Sequence, residues 1–324
     1  MLSGIRADLA QARQDFLVSG DDRLLPIVDA HHHYWEMRNP HPWLTELPRI
    51  PFRYGDYEAI CRDFMPEDYA RACAGHRVMR HVVMEGEWTP DDPVGEARWM
   101  RALADASGEP QAMAAQIWLD RDDVDTVLQF YAEAPLRGFV RSVRHKPRTT
   151  SREAFRADWS VPGSMRCPRW RRGYALLAPA SLMFELQAPW WHVAEMVELA
   201  NDFPETTIVV NHAGMPGTRD EDTLRQWRAA MAQLARCDNV RMKISGIGVR
   251  GEAWTPAHQA FVVRALIEDF GVARCLFASN FPVDGLVVDL ATLWAGFKTL
   301  TRAMTPEQRL ALFCDNAVGL YGLC

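Results

Sequence analysis

Short apolar runs rich in β-branched residues alternate along the chain with longer stretches of helical periodicity, and the alternation repeats about eight times. The runs cover residues 26–33, 78–87, 111–119, 136–145, 181–187, 206–212, 240–246 and 274–281. Between them the pattern predicts helices from Pro66 to Gly75, Val94 to Ser107, Asp122 to Ala134, Trp190 to Asp202, Thr223 to Cys237, Thr255 to Phe270 and Leu286 to Ala303. Thr255-Pro256 and Thr305-Pro306 each set a capping hydroxyl before a first-turn proline. About eight strand–helix repeats are what a closed parallel (β/α)8 TIM barrel requires. A doubly wound open sheet uses the same alternation, but no glycine-rich phosphate motif follows any of the runs. The expected fold is therefore α/β, a single barrel domain over residues 1–324. Residues 1–20 are expected to add an amphipathic helix. The stretch from Asn39 to Arg62 reads as a long loop of the kind that carries function. The irregular insertion from Thr149 to Gly173 is expected to cover the barrel mouth or form a subunit contact, so a homodimer is an expectation as well.

In a barrel the C-terminal strand ends surround one pocket, whatever their separation in sequence. The first run, Pro26-Ile-Val-Asp-Ala-His-His-His-Tyr-Trp35, ends in Asp29-x-His31-x-His33. Side chains two apart on a strand share a face, so His31 and His33 should point together and His32 away. Two imidazoles so placed are half of a divalent-metal site or an acid/base pair. The other runs also end in chemistry: Glu85 and Glu87, Gln116 and Trp118, Arg144 with His145 and Lys146, Glu185 and Gln187, Asn211 and His212, Lys243 and Ser245, and Ser279 and Asn280 followed by Asp284.

Charge and cysteine content narrow the class of protein. The formal net charge is −6 and no long basic block is present, so nucleic acid is an unexpected partner. Seven scattered cysteines without a C-x-x-C pair, and no signal-peptide pattern, lead to the expectation of a reducing cytoplasm. No apolar run approaches the length of a membrane span, so no membrane is expected.

Several of these pieces together resemble the amidohydrolase superfamily, and within it the lactonase branch that includes hydrolases of 2-pyrone-4,6-dicarboxylate and L-fuconolactone. They are Asp29 to Trp35 with Pro42-Trp43-Leu44, Gly138 to His145, Phe184 to Gln187, Val210 to Pro216, Lys243 to Gly246 and Ala278 to Val283. The resemblance implies a barrel enzyme that opens a small acidic or sugar-derived lactone. It also implies a site made of the His-x-His pair, the strand-six histidine and a strand-eight carboxylate. His31, His33 and His212 match that pattern, but Asn280 stands where the family pattern usually has Asp.

An amide orients groups by hydrogen bonding but accepts no proton from an attacking water. Another carboxylate is then expected to serve as base, Glu85 or Glu185 ahead of Glu87 and Asp284. Three histidines with Glu185 would suit one Zn²⁺ or Mn²⁺, while a metal-independent route would use the imidazoles as donors to the lactone carbonyl. Arg144, His145 and Lys243 are the cations expected to steady the oxyanion or hold a substrate carboxylate. Arg53 and Tyr54, from the first long loop, are expected to close over the substrate, with Asp284 nearby. Two other readings share these residues: a metal-dependent decarboxylase of an aromatic or unsaturated acid, and a non-catalytic barrel that binds a small acid.

Overall fold

The computed structural model describes residues 9–323. Its eight strands are β1 (Pro26–His32), β2 (Arg77–Met84), β3 (Ala112–Gln116), β4 (Val140–Arg144), β5 (Met183–Leu186), β6 (Ile208–Val210), β7 (Val240–Ile244) and β8 (Cys275–Phe277). Each pairs in parallel with the next in sequence order, and helices fill the connections, which makes a (β/α)8 TIM barrel. The anticipated helices are present with shifted ends, for example Gly95–Ser107, Val193–Asp202, Glu221–Leu234 and Pro256–Phe270. The helix expected from Leu286 starts instead at Leu290, because Asp289 caps it through Thr292 N and Val283–Leu286 forms a separate 3-10 turn. Of the expected N-terminal helix, Leu9–Ser19 is formed and residues 1–8 lie outside the described residues. No described helix is long and apolar enough to cross a membrane.

The ring closes through hydrogen bonds beyond the short β8. Asn280 N donates to the His31 carbonyl at 2.6 Å, and His33 N donates to the Phe281 carbonyl at 2.7 Å. Asp29 fastens the same seam, accepting from Ser279 N at 2.9 Å and from Tyr69 Oη at 2.6 Å. Burial pushes the Asp29 carboxyl up and these donors oppose the shift. The run expected at 274–281 thus divides into a three-residue strand and a crossover segment that carries Asn280 to the barrel mouth.

β1 is bulged. Asp29 faces His81 and His32 faces Val83, so three steps on β1 match two on β2. Val28 and Ala30 belong to the inner core and Asp29 bonds outward to Tyr69. The extra residue returns His31 to the interior, and His33 follows it while His32 points out. The even spacing of Asp29, His31 and His33 on one face, which simple alternation implies, therefore holds only for the two histidines.

His32 packs outside the barrel against Tyr34, Tyr69 and His81, with ring centroids 4.6, 4.8 and 5.1 Å away, and neither ring nitrogen has a hydrogen-bond partner. Burial pushes its pKa well below 6.5, so the folded protein holds it neutral. The unfolded chain binds this proton near pH 6.5, so the folded state loses stability as pH falls below that value, by up to about 1.4 kcal/mol per pH unit. His32→Phe should flatten that dependence. The Tm difference between pH 7.5 and 5.5 checks it, and an unchanged slope would assign acid sensitivity elsewhere.

The C-terminal helix Asn316–Tyr321 and the turn before it cover one end of the barrel interior, with Cys314, Ala317 and Tyr321 packed on Val28, Ala30 and Leu276. The 149–173 insertion follows β4 on the side of the C-terminal strand ends, and its Trp170 Nε1 donates to His145 Nδ1 at 3.0 Å. It is tied to the flank by Arg166 on Glu198 and by His192, whose Nε2 accepts from Thr150 N at 3.2 Å while Nδ1 donates to Glu195 at 2.6 Å.

Candidate active site

Two adjoining chambers open at the C-terminal strand ends and share Trp43, Glu85, Glu87, Arg144 and Lys146. The inner chamber reaches His33, His212, Asn280, Arg53 and Gln187. The outer one is a cavity of about 530 Å³ whose walls come from the 42–50 loop and the ends of β2, β3 and β4.

The imidazoles sit at the inner end. His31 is wholly buried, with its ring centroid 5.4 Å from that of His33 and 4.6 Å from that of His212, and neither of its nitrogens has a partner. His33 Nδ1 lies 3.2 Å from the Met84 carbonyl. A carbonyl only accepts, so the proton is on Nδ1 and Nε2 keeps a lone pair for the chamber. The Asn280 side chain is within hydrogen-bonding reach of that ring and, like the Met84 carbonyl, favours its protonated form against the burial that disfavours it. His212 Nδ1 is 3.1 Å from Ser245 Oγ. Burial first, and the surrounding cations after it, push all three histidines well below 6.5, so they are neutral at physiological pH. His212 and Asn280 both hold positive φ, 53° and 55°, a conformation costly for residues with a Cβ and one that clusters at functional sites. Gly246 explains part of how they fit: a Cβ there would meet His212 Nδ1 at 2.5 Å.

Asp284 fixes the Asn280 amide. Its Oδ1 accepts from Asn280 Nδ2 at 2.7 Å, Tyr54 Oη at 3.0 Å and Arg53 Nη2 at 3.2 Å. With Nδ2 committed to a carboxylate, the amide oxygen of Asn280 is the end left as an acceptor. Burial raises the Asp284 pKa, and Arg53, Asn280 and Tyr54 oppose the rise.

The family model described as Amidohydrolase matches residues 28–323, nearly the whole barrel. The chain belongs to the amidohydrolase family. An uncharacterised Sinorhizobium fredii protein, y4mH, is 34% identical to this family member, covering 92% of this chain and 98% of that protein. An L-fucono-1,5-lactonase of Burkholderia ambifaria is 25% identical over 91% of this chain and 94% of its own length. Among solved structures, an amidohydrolase from Burkholderia multivorans at 20% identity superimposes with TM-score 0.74 with HEPES bound and 0.73 in a crystal form with zinc bound. The match covers 92% of this chain and 99% of that one.

Within the amidohydrolase barrel, several residues chosen from the sequence hold other positions than expected. Glu185 is wholly buried, and its two oxygens accept from Lys243 Nζ at 2.8 Å, Asn211 Nδ2 at 2.6 Å, Ser142 Oγ at 3.2 Å and Tyr321 Oη at 2.6 Å. Four donors use the roughly four lone-pair sites of a carboxylate, which leaves nothing for a metal or a proton in transit. Lys243 is likewise buried below the chamber on Glu185, too deep to meet a substrate carboxylate. His145 Nδ1 accepts from Leu119 N and Trp170 Nε1, both at 3.0 Å, and burial pushes its pKa down to about 4, so it is a neutral structural acceptor and not a cation. Tyr54 turns inward to Asp284 and does not lie over the chamber; Arg53 does both, lining the chamber and holding Asp284. Glu85 does line both chambers, but Arg144 Nε bonds its Oε1 and Glu87 N donates to Oε2 at 2.7 Å.

The same contacts test the metal expectation. An ion would draw on His31, His33 and His212, but Glu185 is saturated and Asn280 is an uncharged amide. Among the described residues no three His, Cys, Asp or Glu side chains gather at ligating distance. Three imidazoles suffice as the protein ligands of a catalytic zinc, so His31, His33 and His212 would be the residues to hold an ion, but they are not gathered to ligate one here, and the chemistry below uses this chain's own groups. Ser142, Tyr321 and Met84, which position Glu185, Lys243 and His33, went unnoticed in the sequence. Only the pairing of strands and the path of the C-terminal helix bring them there.

Proposed function

We propose that this amidohydrolase opens a lactone by water attack on the ring carbonyl, with His33 as general base. The observation that carries the reading is the His33 ring: Nδ1–H is committed to the Met84 carbonyl, and Nε2 is unprotonated at the chamber wall beside Asn280. In this reading the Asn280 oxygen accepts one hydrogen of the water and His33 Nε2 takes the other as oxygen attacks the carbonyl carbon. In the tautomer where Ser245 Oγ–H donates to His212 Nδ1, 3.1 Å away, His212 Nε2–H polarises the carbonyl together with the N–H bonds of Arg144 not spent on Glu85 and Gln187. The tetrahedral oxyanion then collapses, the ring C–O bond breaks, and His33 returns its proton to the departing ring oxygen. An L-fucono-1,5-lactonase as relative supports a lactone as the bond opened.

The Asn280–Asp284 pair gives the test. Asn280→Asp puts a second carboxylate where Nδ2 now lies 2.7 Å from Asp284 Oδ1, so one of the two must take up a proton and the fixed amide is lost. We expect kcat on a responsive lactone to fall by about tenfold or more, the usual cost of losing a supporting partner. Asn280→Asp combined with Asp284→Asn restores one donor and one acceptor and should recover most of the loss. A gain in kcat from the single change would contradict the arrangement.

A further inference from the structure

The outer chamber has properties that the ring-opening chemistry does not need. Its walls include Trp43, Trp88, Trp118, Ile117, Leu47 and Ile50, and the last two stand 78% and 50% exposed at its rim. Apolar side chains this exposed beside a concave site mark a surface built to meet a ligand. The amide nitrogen of Gln116, an uncharged polar group on the wall, is already spent on the Trp88 carbonyl at 2.8 Å.

The cations of the cleft are also balanced. Arg144 is paired with Glu85, Lys146 with Glu87 and Arg53 with Asp284, while His145 is neutral. A substrate carboxylate in the outer chamber would meet Glu46, Glu85 and Glu87 as well as Arg144 and Lys146, so like charges oppose it. A polyhydroxylated arm fares poorly for a different reason. Glu46 and Glu87 could meet some of its hydroxyls, but Leu47, Ile50 and Ile117 offer the others no hydrogen-bond partner to replace water.

From these observations we infer that the outer chamber takes a flat aryl arm carried by an uncharged lactone, whose ring is opened in the adjoining inner chamber. The inference rests on the lactone reading for the ring and adds the class of its substituent. At about 530 Å³ the chamber falls in the range of about 300–1,000 Å³ typical of small-molecule sites. It adjoins the inner chamber along the residues they share, so a ring held in one chamber lies next to the space for its arm. Trp43, Trp88 and Trp118 all line it, and aromatic rings prefer offset or edge contacts with one another.

Four probes separate the possibilities: δ-valerolactone, 5-phenyl-δ-valerolactone, an aldono-1,5-lactone and a carboxylated pyrone. The phenyl compound should show the highest kcat/KM, about tenfold or more above δ-valerolactone, since even one methylene in an apolar pocket is worth about tenfold. Ile50→Gln, at an exposed position, and Trp118→Ala should each lower the ratio of phenyl to parent kcat/KM by about tenfold on the same grounds. A variant that is only misfolded lowers both substrates and leaves the ratio unchanged. Preference for the aldonolactone or the carboxylated pyrone, or a ratio that neither variant moves, would overturn the inference and leave the lactonase reading standing. If no lactone is opened, the lactonase reading fails by itself, and calorimetric titration of 5-phenyl-δ-valerolactone decides the inference. Binding that is lost in Ile50→Gln supports the aryl subsite; no binding to the native protein overturns it.

Discussion

His33→Ala is expected to lower kcat on a responsive lactone by about 10²–10⁴, the usual contribution of a positioned general base, with KM changed little. The size follows from what the ring alone supplies. Its pKa lies well below 6.5 through burial, so the imidazole is neutral across the working range, and the Met84 carbonyl fixes which nitrogen carries the proton. The bulge in β1 decides that this ring and that of His31 face the chamber. No carboxylate in the inner chamber is free to replace it, because Glu85 is held by Arg144 and Glu87 by Lys146. His33→Gln, which keeps an amide acceptor but little basicity, should fall almost as far. A loss that appears mainly in KM would make His33 a binding group.

Lys243→Met should reduce folding stability by about 3–5 kcal/mol, the range for removing one partner of a buried ion pair. Glu185 would be left charged inside the barrel, holding hydrogen bonds from Ser142, Asn211 and Tyr321 but no counter-ion. Lys243→Met combined with Glu185→Gln should regain at least half of the loss, because the amide oxygen still accepts from Tyr321 or Ser142 while no charge remains to be neutralised. Denaturant midpoints at constant slope measure both. If instead Glu185 were a metal ligand or the base, Lys243→Met would leave stability near that of the native protein and change kcat alone.

The barrel was legible in the sequence because strand and helix periods differ and alternate in the right number. The location of the site followed from one rule, that strand ends converge, and it brought His33, His212, Glu85, Arg144 and Asn280 to a common cleft. The roles were less legible, because they depend on partners in three dimensions. Nothing in Phe184-Glu-Leu-Gln187 distinguishes a metal-binding glutamate from one saturated by Lys243, Asn211, Ser142 and Tyr321. His145 looked cationic because the sequence does not show that Leu119 N and Trp170 Nε1 both donate to it. Asn280 was visible as a departure, but its link to Asp284 depends on the crossover after β8. That segment carries the amide to the seam, where Arg53 and Tyr54 arrive from a loop more than two hundred residues earlier.

Water from solvent is proposed to attack a lactone carbonyl in this cleft. Ring opening in ¹⁸O-labelled water, followed by mass spectrometry of the product, tests it most directly. Single-turnover product formed by the native protein should be the hydroxy acid carrying one ¹⁸O in its carboxylate, and His33→Ala should form it far more slowly. A substrate panel that yields no ring-opened acid, or an unsaturated acid that releases CO₂ in its place, would contradict the account.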